Sequence, residues 1–471
     1  MPSFYELDDV IEGDLILDIS RVFWIKIRIA FLWNNQSENQ KLGLTRFSWG
    51  RRTPNQFTNS MGAFLDKPKT EKTNDHGEGP GYRYVVASMQ GWRWNMEDAH
   101  QVKVAITEEE PLKHWSFFAV FDGHAGCEVA NHSAENLLAY LLNTEEFKQL
   151  VPELKKNEGK ITEKAIQLLK DGIKAGFLKL DEHMSTEKGP DGEEKEKSGT
   201  TATCAILTPE YVFFCNLGDS RGLLGRKTEE VFYTVDHKPY LTAERERIIR
   251  AGGTVMIQRV NGSLAVSRAL GDFEYKNVPG LTPTEQLVSP EPDVYVIKRN
   301  PDEDEFLILA CDGIYDVLEN EELCVLLRSR LTVTDDLKKA TNQVLDYCLA
   351  RGSRDNMTMV AVIFEAAPKK NPEASKAEEE WLDKVREKAK EYADRFLKEV
   401  REVETNTIIS YLKANTDLER SPVYGGLDLA KHVIDDVIDR TKRENGFTSD
   451  SEEHSMEEES KQANVVLTDL E

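Results

Sequence analysis

Four aspartates stand where apolar runs of the chain stop or start. Trp115–Phe121 ends in Asp122-Gly123-His124. Phe306–Cys311 ends in Asp312-Gly313, with Asp316 one helical turn later. Val212–Leu217 ends in Gly218-Asp219, and Asp355-Asn356 leads directly into Met357–Val360. A single Asp-Gly after a strand is ordinarily a hairpin turn. Four aspartates at the margins of four strand-like runs point instead to a cluster of carboxylates, which repel one another unless cations neutralise them. Carboxylates, a carbonyl and water are ligands for hard ions such as magnesium or manganese. A second group, Arg93-Trp94-Asn95-Met96-Glu97-Asp98, adds two carboxylates and a guanidinium, whose planar fork suits a tetrahedral oxyanion. Read singly, Arg93 is a surface ion-pair partner and His124 a turn-stabilising histidine.

Such residues need rigid elements to hold them. From about Tyr82 to Phe364 the chain carries short runs rich in β-branched and aromatic residues, at 84–87, 115–121, 201–207, 212–216, 231–234, 306–311 and 357–364. Helical spacing appears at Val129, Leu137 and Leu141, across Ile161–Leu180, and again at Leu337, Val344 and Leu345. Short connections between consecutive runs predict antiparallel pairing, hence an α+β layered domain rather than a doubly wound parallel sheet. From Glu373 the strands stop. Trp381, Val385, Ala389, Tyr392, Phe396 and Val400 mark a long amphipathic helix, with shorter ones at Thr407–Leu412 and Leu427–Asp439. The expected organisation is an N-terminal extension (1–60) with a strand-like Ile25–Ile29, a catalytic domain (61–368), a helical subdomain (369–446) and an acidic, solvated tail (447–471).

Composition narrows the class. A net charge of −24 argues against a binder of nucleic-acid backbones, which needs a basic face, and suits a protein that holds cations. None of the six cysteines forms a C-x-x-C pair, and several sit inside apolar runs, as buried thiols do in a reducing compartment. The apolar stretch Ile19–Trp33 is interrupted by Arg21, Lys26 and Arg28, too short and too charged to span a bilayer. A monomeric cytoplasmic or nuclear protein is expected. Met61-Gly62 would permit N-myristoylation, and so membrane association, only if Gly62 became N-terminal; Asp66 is not the favoured Ser or Thr.

Seven segments, in order, carry a resemblance: Arg93-x-x-x-Glu97-Asp98, Phe121-Asp122-Gly123-His124-Ala125-Gly126, Ser198–Ala202, Leu217–Arg221, Leu264–Asp272, Cys311–Asp316 and Ser353–Asn356. Together they resemble the type 2C metal-dependent protein serine/threonine phosphatases over about residues 61–366. The helical extension and Met256–Ser263 are similar to the animal alpha and beta isoforms. The resemblance implies a four-layer α/β/β/α sandwich of two antiparallel sheets with a binuclear magnesium or manganese site at one end. Asp122 would bridge two ions, Asp312 and Asp355 would hold one, and Glu97 with the Gly123 carbonyl the other. Asp219 and Asp316, with Asp312, match a weaker third site. By the same resemblance Arg93 binds phosphate, His124 is the general acid that protonates the departing alkoxide, and Asp98 orients a water or His124. The segment Lys238–Ser263 resembles a flap beside the cleft, from which Arg259 could meet phosphoprotein substrates. Gly252-Gly253 there is either a mobile turn or a plain helix terminator. The loop Ser185–Lys197 is charged and solvated. A scaffold that has lost turnover would lack a ligand, and none is missing; a hydrolase of small phosphoesters is the remaining rival.

Overall fold

The computed structural model describes residues 64–186, 197–228, 231–400 and 403–447. The N-terminal extension with its strand-like stretch, Met61-Gly62, most of the charged loop 187–196 and the acidic tail from 448 lie outside the described residues.

Ten principal strands form two sheets: β1 (Phe64–Gly79), β2 (Tyr82–Arg93), β3 (Ala99–Lys103), β4 (Ser116–Phe121), β5 (Ala202–Leu207), β6 (Tyr211–Leu217), β7 (Arg221–Arg226), β8 (Asp293–Lys298), β9 (Asp304–Ala310) and β10 (Met357–Phe364). One sheet runs β1-β2-β10-β9-β7 and ends on the short strand Phe232–Tyr233. The other runs β8-β6-β5-β4-β3. Every pairing in both is antiparallel, as the short connections predict.

The apolar runs are continuous rather than alternating because both faces of each sheet are covered. In β2, Tyr82, Tyr84 and Val86 face the other sheet; with Leu307 and Val360 of their own sheet they share a core with Phe118, Val120 and Phe214 opposite. The intervening Val85, Ala87 and Met89 face helices α6 (Asn320–Val333) and α7 (Leu337–Ala350). On the opposite side, α1 (Glu128–Leu142), α2 (Glu145–Lys156) and α3 (Glu163–Thr186) pack on Phe117, Ala119, Ile206 and Phe213. The layers are therefore helix, sheet, sheet, helix.

Strand register decides what meets at the sheet ends. Ala99 pairs with Phe121, so Asp98 and Asp122 leave their strands side by side. Ala310 pairs with both Arg221 and Met359, so Asp312 emerges next to Asp219 and Asp355. All of these carboxylates gather at one end of the sandwich.

Beyond β10, α8 (Pro372–Val400), α9 (Thr405–Asn415), α10 (Gly426–Leu429) and α11 (Lys431–Glu444) share a separate core around Trp381, Val385, Ile408, Leu412 and Ile434. It attaches to α6 through a buried ion pair, Arg330 to Glu378 at 2.5 Å. No described helix is long and apolar enough to cross a membrane.

Candidate active site

The glycine in each Asp-Gly is explained by crowding, not by a hairpin. Gly123 leads into a two-residue ladder with Gly199–Thr200. A methyl group on it would sit 2.4 Å from the Glu97 carbonyl oxygen. Gly313 opens α5 (Asp312–Tyr315), and a methyl there would sit 2.0 Å from the Asn356 carbonyl oxygen. Glycine at these positions lets the loop bearing Glu97 and Asp98 close on Asp122, and the loop bearing Asp355 close on Asp312.

Two tight groups result. Carboxylate oxygens of Asp122, Asp219 and Asp312 all lie within 4.8 Å of one another, and Asp98, Asp122 and the Cys311 sulfur form a second such group. Burial, followed by repulsion from Asp312, Asp98 and Asp219, holds the Asp122 carboxyl well above the usual carboxylate range. Burial and then Asp219 and Asp355 do the same to Asp312. Burial pushes Asp98 up to about 6, even though Thr358, Cys311 and Asp122 favour its charge. Both Asp98 carboxylate oxygens are buried without a well-formed hydrogen bond. A set of crowded carboxylates that repel one another, one of them orphaned, is chemically suited to hard divalent cations. The residues present therefore fit such ions.

The other expected ligands lie around these groups rather than in them. Asp355 accepts a 2.6 Å ion pair from Arg93, at the end of β2. Asn356 fastens this corner, its side chain donating to the carbonyls of Gln90 and Asn95 and accepting from the Glu97 amide at 2.9 Å. Burial raises Glu97, while Arg93, the Gly126 amide and His124 act the other way. Asp316 is exposed, one turn past Asp312. Although the residue is open to solvent, partial desolvation of its carboxyl by the surrounding cluster raises it, Lys238 opposes, and Asp219 and Asp355 add to the rise.

Two partners were not legible as such in sequence. His124 Nε2 lies 2.8 Å from Asp272, so Asp272, not Asp98, holds this ring. Burial disfavours the charged imidazole, but Asp272, with Asp219 and Glu97 behind it, keeps it above its ordinary value. Asp272 lies within a segment that carried the resemblance, which is the only signal that could have found it. Lys238, the first residue of the expected flap, ion-pairs with Asp219. Arg259 sits on the short hairpin Val255–Val260 and donates to the Ser263 carbonyl at 2.6 Å, away from the aspartates. Gly252 (φ +89°) and Gly253 terminate α4 (Thr242–Arg250), the Gly253 amide donating to the Ile248 carbonyl at 2.9 Å. The flap is anchored by Glu244, which accepts from Arg268 at 2.7 Å and Arg247 at 2.6 Å.

A double antiparallel sandwich with clustered aspartates and an arginine at one end has the groups that a metal-dependent phosphate-processing enzyme needs. Comparison with known proteins makes this specific. Residues 82–357 match the family model described as protein phosphatase 2C, and residues 358–439 match its C-terminal domain. The chain is 50% identical over 385 residues to protein phosphatase ppm-1.A of Caenorhabditis elegans, covering 80% of this chain and 81% of that protein. It is 49% identical to protein phosphatase 1A of Bos taurus, covering 81% of this chain and 95% of that one. A crystal structure of a phosphatase from Toxoplasma gondii shares the fold, with a TM-score of 0.52 at 24% identity over 64% of this chain and 98% of that chain. The chain belongs to the protein phosphatase 2C family, whose members are metal-dependent serine/threonine phosphatases.

Proposed function

We propose that this enzyme hydrolyses phosphoserine and phosphothreonine in proteins at a binuclear magnesium or manganese site. Asp122 would bridge the ions, Asp312 and Asp355 would hold one, and Glu97 with the Gly123 carbonyl the other. Asp219 and Asp316, with Asp312, would form a weaker third site. The observation that carries the reading is the convergence of Asp122, Asp219 and Asp312 within 4.8 Å at the sandwich end that also bears Arg93.

Bound there, the ions would supply Lewis acidity that lowers the pKa of water and neutralises charge on the phosphoryl oxygens. The protein's own groups do the rest. Arg93, already drawn towards the cluster by Asp355, presents its remaining donors to a phosphoryl group. His124, whose charged form Asp272 favours, would donate its proton to the departing alkoxide; such transfer is worth about 10²–10⁴-fold in rate. Asp98, buried beside Asp122 with both carboxylate oxygens unpartnered, would orient a water at the site. Arg259 on the flap would meet the protein around the phosphorylated residue.

The test is phosphate release from phosphoserine and phosphothreonine peptides with added manganese, compared with nucleotides. Release from peptides that stops with a chelator and returns with manganese is the expected result. Turnover of nucleotides in preference to peptides, or release indifferent to metal, would refute it.

A further inference from the structure

The end of the sandwich opposite the aspartates holds a cavity of about 360 Å³. It lies where β2 begins, β5 and β10 end, and Arg299 follows β8. Its walls include Tyr82, Leu207, Pro301 and Phe364, with Thr208 and Arg299 as polar members. That size and character, apolar with few convergent polar groups, is what small-molecule sites have.

Arg299 is the unusual wall. Its side chain is only 12% exposed, and its guanidinium carbon stacks 4.4 Å from the centre of the Phe364 ring. Its Nε is buried with no hydrogen-bond partner. The Asp304 carboxylate is 3.9 Å from it, beyond hydrogen-bond reach. Asp304 is already engaged, accepting from Arg226 at 2.8 Å through one oxygen and from the Asn300 amide at 2.8 Å through the other. A buried donor left without a partner is costly, so native proteins keep few of them. Burial also disfavours the guanidinium charge.

We propose that this cavity binds a small organic carboxylate with a flat apolar body, its carboxylate gripped by the Arg299 fork and its body set against Tyr82 and Phe364. Carboxylate is favoured over phosphate because Glu365 borders the cavity and Asp304 lies behind Arg299, so a dianion is repelled more than a monoanion. The other basic group of the wall, His114, is turned to Glu110 at 3.4 Å. The cavity lies at the far end of the strands that carry Arg93 and Asp122, so it is distinct from the phosphatase site and independent of the reading given for it.

The probe is 1-naphthoate, titrated into the full-length protein by calorimetry, with neutral 1-naphthalenemethanol alongside. Saturable naphthoate binding at least tenfold tighter than the alcohol is expected. It should weaken at least tenfold in Arg299→Met and stay unchanged in Asp122→Asn. Arg299→Met should retain phosphopeptide turnover, which reports that it is folded. The alcohol comparison stands even if that variant does not fold. No saturable binding, equal affinity for acid and alcohol, unchanged affinity in Arg299→Met, or loss in Asp122→Asn would each overturn the proposal.

Discussion

His124 Nε2 and the Asp272 carboxylate lie 2.8 Å apart although 148 residues separate them in sequence. Asp272 is nearly buried and adopts φ +52°, a conformation that residues other than glycine rarely hold without reason. The loop is pinned from behind by Asp181, which accepts from the Gly271 amide at 2.9 Å and from Lys276 at 2.7 Å. Asp272 is thus a positioning residue for the general acid proposed here. Asp272→Asn would leave the hydrogen-bond geometry available but remove the charge that holds the imidazole up. Its pKa then falls, so the basic limb of the kcat/KM profile should move to lower pH. The loss at neutral pH should be large for phosphothreonine peptides and small for an aryl phosphate, whose leaving group needs no proton. His124→Gln should show the same split, at about 10²-fold or more on the peptide. A pH profile unmoved by Asp272→Asn would remove Asp272 from this role.

The acidic cluster predicts a trade between function and stability. Asp122 and Asp312 have carboxyls held above their ordinary range in the folded chain. A carboxylate whose folded pKa is raised destabilises the fold above that pKa, and the penalty fades as pH falls through it. Without metal, Asp122→Asn should therefore unfold at a higher temperature than the wild type at pH 7, by several degrees, while losing turnover and manganese binding. The difference should narrow towards pH 4. Melting curves in chelator across this range check both signs.

The sandwich was readable because strands covered on both faces leave continuous apolar runs, and because carboxylates at their ends interrupt the pattern. The first strand was not. Phe64–Gly79 is polar almost throughout and mostly exposed, and it exists through backbone pairing with β2. An edge strand held by main-chain bonds leaves little hydrophobic signature. The helix Asn320–Val333 had the signal, in Leu323, Leu326, Leu327 and Leu331, but its short spacing between other elements hid it. Within the site, Asp122, Asp219 and Asp312 were found from local pattern. Asp272 and Lys238 act through partners distant in sequence, and no local pattern reports a partner. The Asp-Gly pairs suggested turns, whereas the glycines admit neighbouring backbone at Glu97 and Asn356.

The flap anchor should be sensitive to acid. Burial alone would raise the Glu244 carboxyl, but Arg268, Arg247 and Ser267 bring it down to about 2, from an ordinary 4.5. A depressed carboxylate contributes stability that is complete above its unfolded pKa and is lost as pH falls through the folded one. The shift corresponds to roughly 3 kcal/mol. Glu244→Gln should therefore lower the melting temperature at pH 7, with the gap to wild type closing between about pH 4.5 and pH 2. Because Arg268 also pairs with Asp293 at 3.0 Å, the loop before β8 should loosen together with the flap. Hydrogen exchange of 238–293 in the variant checks this, and faster exchange confined to 242–250 would argue against a shared anchor.

The helical subdomain is tied to the catalytic layers by an ion pair that only works whole. The Arg330 side chain is fully buried and Glu378 nearly so, with 2.5 Å between them. Arg330 otherwise reaches only Ser329 at 3.3 Å and Gln343 at 3.5 Å. Removing one partner leaves a charge in the interior, which costs about 3–5 kcal/mol, whereas replacing both with apolar residues of similar volume is often neutral. Glu378→Leu should therefore be strongly destabilising, and Arg330→Met with Glu378→Leu should recover much of the loss. Another contact, from the Tyr424 hydroxyl to Glu322 at 2.9 Å, is exposed and should contribute little. Denaturant unfolding of the two single variants and the double variant gives the coupling directly. If the double variant is as unstable as the sum of the singles, the pair does not act as a unit, and other contacts, such as Leu429 of α10 in the core beneath α6 and α7, hold the subdomain in place.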